Sequence, residues 1–160
     1  MRNSFVVRIP TIVAVAALAT LGALATAPAA SAGVARVTCS KVVGVGNVSH
    51  PAVISGCNDV AKTGGKGTLV ATFPNSGPDG FWTFTWSGNH GTTKVHFRSR
   101  TPKKSFCPKG WIAFVDTGHV TGGTGPAATV MPKGQTVSAR GCGSPKTGNG
   151  KLAKGTKFIL

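Results

Sequence analysis

The chain contains no glutamate and no tyrosine, and its only acids are three aspartates, Asp59, Asp79 and Asp116. Chemistry that needs paired carboxylates therefore has very few residues to draw on. No C-x-x-C pair and no paired-histidine spacing occurs. Neither the four cysteines nor His50, His90, His96 and His119 read as a zinc site. There is no G-x-S-x-G elbow. The stretch "AKTGGKGTL" lacks the order of a phosphate-binding loop, because Lys66 precedes Gly67 and a predicted strand follows. Beyond the first thirty or so residues there is no long apolar run, and no segment carries a convincing helical period.

Positive charge is what the chain has in excess. Its 18 Lys and Arg against 3 acids give a net charge of +15. The N-terminus, "MRNSFVVRIPTIVAVAALATLGALATAPAASAG", places Arg2 and Arg8 ahead of an apolar run, then Pro28 and the small-residue triplet Ala30-Ser31-Ala32. That order predicts a secretory signal peptide over residues 1–32, cleaved before Gly33. An uncleaved anchor is the competing reading, and Pro28 with the A-x-A site favours cleavage. Loss of Arg2 and Arg8 from the total of +15 would leave +13 on a single secreted domain, residues 33–160. A field of that sign gathers polyanions. Outside the cytoplasm the candidate partners are anionic cell-wall polymers, anionic lipid head groups and extracellular nucleic acid. A solvated basic surface without a partner is the plain alternative.

An even number of cysteines in an exported chain implies two disulfides. Of three possible connectivities, Cys39–Cys57 with Cys107–Cys142 closes the shortest loops. Each loop would stabilise the fold by roughly 3–4 kcal/mol.

Period-2 runs bounded by Gly, Pro, Asn and Ser predict strands near 35–39, 52–55, 68–73, 81–87, 92–98, 111–115, 127–131 and 136–140, with a last short one at 156–160. Seven to nine short strands imply an all-β fold, an antiparallel sandwich or small barrel. The stretch "GSPKTGNGKLAKG", within 143–155, reads as a mobile basic loop, and the terminal "FIL" as an edge strand.

In "FWTFTWSGNHGTTKVHFRSR" the pleat places Trp82, Phe84 and Trp86 on one face. With Ser87 set opposite Thr92, those rings oppose Phe97, Val95 and Thr93. The rings then belong to the core rather than to an exposed strip for stacking on sugars. The opposite face carries Lys94, His96, Arg98 and Arg100, and Lys103, Lys104 and Lys109 follow. Lys94, His96, Arg98, Arg100, Lys103 and Lys104 form the candidate anion site, with the two arginines suited to phosphate or carboxylate. The same pattern suits an edge strand guarded by charge.

"WIAFVDTGHV" contains a single Asp116-Thr117-Gly118, similar to the catalytic tripeptide of aspartic proteases. Those enzymes need two such carboxylates, and strands often end at Asp-x-Gly turns, so a hydrolase is the lesser reading.

The pattern "TCSKVVGVGN…VISGCNDVAKTGGKGTL…FTWSGNHGTTKV" resembles small exported proteins of actinobacteria, mycobacteria and nocardiae among them. The resemblance runs from about Thr38 to Val95. It implies a secreted all-β domain and brings no site residues and no activity with it. The expectation is a monomeric, noncatalytic, cofactor-free secreted domain that associates with anionic envelope polymers or lipids. The alternative is a module that binds a protein target, as an inhibitor or toxin would.

Overall fold

Glycine-punctuated period-2 runs become nine strands in the structure, a computed structural model that describes residues 36–58 and 64–160. The predicted leader, residues 1–32, and Asp59 lie outside the described residues. The strands are β1 (Thr38–Gly44), β2 (Ala52–Cys57), β3 (Lys66–Thr72), β4 (Asp79–Trp86), β5 (Gly91–Arg100), β6 (Ile112–Thr124), β7 (Thr136–Gly143), β8 (Gly150–Leu152) and β9 (Phe158–Ile159). One helix, α1 (Gly125–Val130), separates β6 from β7.

All strand pairs are antiparallel. Each of β1 to β7 pairs with its successor, and β1 pairs with both β2 and β8. The result is a closed up-and-down barrel of eight strands, which resolves the choice between sandwich and barrel and leaves no free edge in the ring. The extra strand β9 also bridges β7 and β1, further along the same gap that β8 fills. The segment expected to be a mobile basic loop therefore holds β8, whose bonds to β1 and β7 close the wall. Its preceding turn is fixed by two backbone bonds between Ser144 and the pair Gly148 and Asn149.

The inner face is mostly apolar. Trp82, Phe84, Trp86, Val95, Phe97, Val120 and Phe158 are all buried, and Phe84, Val95 and Val120 are fully so. The aromatic row of β4 is core, as the hairpin pattern implies. The register differs from the expected one by two residues: Trp86 opposes Gly91, Phe84 opposes Thr93, and Trp82 opposes Val95. A slip of two keeps every side chain on its expected face. Phe97 falls opposite Gly80 and lies over it, where a Cβ would come within 2.7 Å of the ring. From there Phe97 stacks on Trp82 at 4.1 Å between centroids. Phe114 lies over Gly141 of the neighbouring strand in the same way.

Two further expectations are corrected. Residues 127–131 are not a strand. Gly125 takes φ +64° and Pro126 opens a helical turn, a position for which its fixed φ is suited. The turn brings Ala127 and Met131 to one side, where both are buried. The other correction concerns Asp116-Thr117-Gly118, which does not end a strand. β6 runs straight through it, with Asp116 opposite Ser99 and Ala139 and with Gly118 opposite Phe97 and Val137.

The two ends of the barrel differ. At one end α1, Met131, Trp86, Val37 and Leu160 fill the interior. The Trp86 indole N–H donates to Thr93 Oγ1 at 2.9 Å, and that hydroxyl donates to Met131 Sδ at 3.7 Å. The other end is open. No described helix is long and apolar enough to cross a membrane.

Candidate functional site

Both expected disulfides form. Cys39 and Cys57 are direct partners across the β1–β2 ladder. Cys107, in the long connection between β5 and β6, is tied to Cys142 near the end of β7. Paired cysteines are consistent with an oxidising location.

The predicted anion-binding residues sit on the outer wall. Lys94, Arg98 and Arg100 project outward from β5 and are exposed, as are Lys103 and Lys104 in the connection that follows. From Lys94 to Arg100 the column extends roughly 20 Å at the usual rise of a strand. The edge-strand account does not apply, because β5 is paired along its length by β4 and β6. Arg98 faces Asp79 across the ladder at 3.8 Å, an exposed contact that contributes little to stability. His96 is half-buried between Phe81, at 5.1 Å, and His119, at 5.7 Å between ring centroids. Among the described residues, no three His, Cys, Asp or Glu side chains converge as metal ligands. Two rows along from His119, Val115 of β6 lies between Arg100 of β5 and Arg140 of β7. Arg140 adds a sixth cation to this wall and rests on the Phe106 ring at 4.3 Å.

The interior holds a second feature. At the open end the side chains do not meet, and a cavity of about 260 Å³ remains. Trp82, Phe97 and Phe158 form its floor, with Trp82 and Phe158 centroids 4.9 Å apart. Leu69, Ala71, Ala139 and Leu152 contribute to its walls, and Phe73 stands half exposed at the rim. The walls are mostly apolar, with Ser99, Lys151 and Asp116 as the polar side chains of the lining. Asp116 projects into it from β6 and is only 4% exposed.

That carboxylate is in an unusual position. Its Oδ1 has no hydrogen-bond partner. Burial pushes its pKa up from 3.8 to about 6, and the Ser99 hydroxyl opposite it limits the rise. Loss of solvation disfavours the charged form, and a hydrogen bond to the charged form favours it. Lys151 is the other titratable residue of the lining, and its ammonium is held over the Trp111 ring at 4.3 Å. Asp79, the only other described carboxylate, is on the outer wall, so no carboxylate dyad forms among the described residues.

Asp116 is the residue that sequence reasoning underrated. The signal is its parity. Phe114, Asp116, Gly118 and Val120 share one face of β6, so an acid stands where an inward residue belongs. Apolar Ala113 and Val115 on the other face blur that pattern, and the resemblance of Asp-Thr-Gly to a turn hides the rest. No family model, curated protein or solved structure matches the chain.

Proposed function

We propose that this is an exported, noncatalytic binding barrel that takes up a small, mostly apolar molecule through its open end. The observation that carries the proposal is the asymmetry of the interior. One end is packed solid by α1 and Met131, whereas the other keeps an apolar cavity of about 260 Å³ with an exposed rim. Eight-stranded barrels are wide enough either to fill with side chains or to hold one small ligand. Concave, apolar sites with few polar groups are the usual form of small-molecule sites. At roughly 30 Å³ per water-sized group, the cavity bounds its occupant to about nine non-hydrogen atoms.

The test is calorimetric titration with a neutral aromatic compound, 2-phenylethanol, and with an Ala71→Leu variant that fills part of the cavity. Binding by the wild-type chain and loss of binding in the variant support the reading. An absence of heat and of any change at Trp82 in the wild-type chain, with this compound and with its amine and carboxylate analogues, would remove it.

The outer wall supports a second reading, association with anionic envelope polymers or lipid head groups. It rests on the exposed column of Lys94, Arg98 and Arg100 on a strand with no edge to protect. Retention on an anionic polymer should fall steeply with salt and vanish when Lys94, Arg98 and Arg100 are neutralised together. Unchanged retention in the triple variant would exclude this wall as a site.

A further inference from the structure

We propose that Asp116 makes the cavity selective for a small amine, whose ammonium group would pair with the unpartnered Oδ1 while its apolar body rests on Trp82, Phe97 and Phe158. The proposal rests on the cavity reading above and adds the chemistry of the guest.

Buried polar atoms are almost always hydrogen-bonded, and an unsatisfied one calls for a reason. Among the described residues only Asp116 and Gln135 carry buried side-chain atoms without partners. Gln135 lies in the connection between α1 and β7, away from the cavity. Asp116 lies within it. A solvent-facing salt bridge is not available to Asp116, because the cations nearest along the strands point the other way. Arg98 and Arg100 of β5 and Arg140 of β7 are exposed on the outer wall. β5 and β7 turn Ser99 and Ala139 towards it instead. Trp82 of β4 and Phe158 of β9 carry no titratable group. Lys151 of β8 is held over Trp111. No protein cation therefore completes the carboxylate.

Three guest classes fit the shape, and the charge separates them. A carboxylate guest would set two anions together in a poorly solvated space, which like charges disfavour. A neutral alcohol can donate one ordinary hydrogen bond. An ammonium group donates charge-assisted bonds, the stronger kind, and replaces the hydration that Asp116 loses on burial. Burial of roughly seven- to nine-tenths of the guest's surface is usual for such sites. The aromatic floor adds attraction for a cation above the ring faces.

Competition with protons follows from the same carboxylate. Asp116 has its pKa raised to about 6 by burial. Only its ionised form pairs with an ammonium, so affinity should decline as the pH falls through that value. From pH 7.5 to pH 5 the loss is about tenfold. Salt provides an independent readout. The chain repels cations at long range through its net positive charge, and salt screens that repulsion. Amine binding should hold or strengthen as salt rises, the opposite of polyanion binding on the outer wall.

The experiment is titration of the disulfide-bonded chain with 2-phenylethylamine, 2-phenylethanol and phenylacetate, three probes with one aromatic body and different heads. The expected result at pH 7.5 is amine binding at least about tenfold tighter than alcohol binding, with phenylacetate weakest. Asp116→Asn keeps the shape of the side chain and removes its charge. It should reduce amine affinity to about the level of the alcohol, whose own affinity should change far less because its hydrogen bond is not charge-assisted. Equal binding of amine and alcohol by the wild-type chain, or amine binding untouched in Asp116→Asn, overturns the amine proposal while the cavity reading stands. No binding of any probe overturns both.

Discussion

Asp116 and Ser99 are direct partners across the β5–β6 ladder, and both side chains face the cavity at the open end of the barrel. The hydroxyl is the one group that eases the burial of the carboxylate, and it does so incompletely. The raised pKa of about 6 is the mark of that shortfall.

Asp116→Asn should stabilise the fold at neutral pH. The carboxyl titrates near 3.8 when the chain is unfolded and near 6 when it is folded. Its stabilising contribution is therefore complete below pH 3.8 and lost as the pH rises through 6. The interval corresponds to about 3 kcal/mol at 1.36 kcal/mol per pH unit. Urea unfolding of the two proteins should agree at pH 3.5 and diverge by up to that amount at pH 7.5, with the asparagine variant the more stable. A constant difference across this range would count against burial as the cause of the shift.

Ser99→Ala should raise the Asp116 pKa further above 6, because it removes the group that lowers it. A carboxyl-carbon NMR titration reads this directly. A pKa that moves down in the variant would show that Ser99 does not favour the ionised form.

Gly80→Ala should destabilise the barrel by about 1–3 kcal/mol, the usual cost of overpacking. The added Cβ would lie 2.7 Å from the Phe97 ring and 2.9 Å from the Thr72 carbonyl oxygen, so one or the other must move. Displacement of Phe97 would also disturb its stack on Trp82, and the near-ultraviolet circular dichroism should change with the unfolding midpoint. A variant of wild-type stability would mean that the β4–β5 register does not depend on Gly80.

Replacing Cys107 and Cys142 together with serine should lower stability by roughly 3–4 kcal/mol, the expected contribution of a loop closed over 35 residues. The connection between β5 and β6 has no other covalent tie to the wall. Hydrogen exchange in residues 101–111 should rise more than in β4 or β5. Uniform acceleration across the barrel would instead indicate that the bridge acts through global stability alone.

Much of the wall was legible in the chain. Alternation in β4 and β5 sets rings on one side and cations on the other, and any register that mixes them would bury Lys94 and Arg98. The two-residue slip was not legible, because registers two apart give the same alternation. Choosing between them requires knowing that Gly80 makes room for Phe97. The helix at Gly125–Val130 was also hidden. Six residues are too few to show a period, and what holds them is the fit of Ala127 and Met131 into the end of the barrel. Of the candidate anion residues, Lys94, Arg98, Arg100, Lys103 and Lys104 are exposed and His96 is half-buried, whereas Asp116 required the interior to be seen.

By itself the sequence determined the strand-rich class, the inward and outward faces, the excess of positive charge and the cysteine pairing. These follow from local alternation, composition and the cost of closing long loops, none of which needs a third dimension. Only the tertiary structure decided that the sheet closes on itself and that one end is plugged while the other stays hollow. It also decided that a lone carboxylate projects into the hollow end. Closure depends on the pairing of β1 with β8, strands far apart in the chain, and a cavity is defined by the side chains that fail to meet.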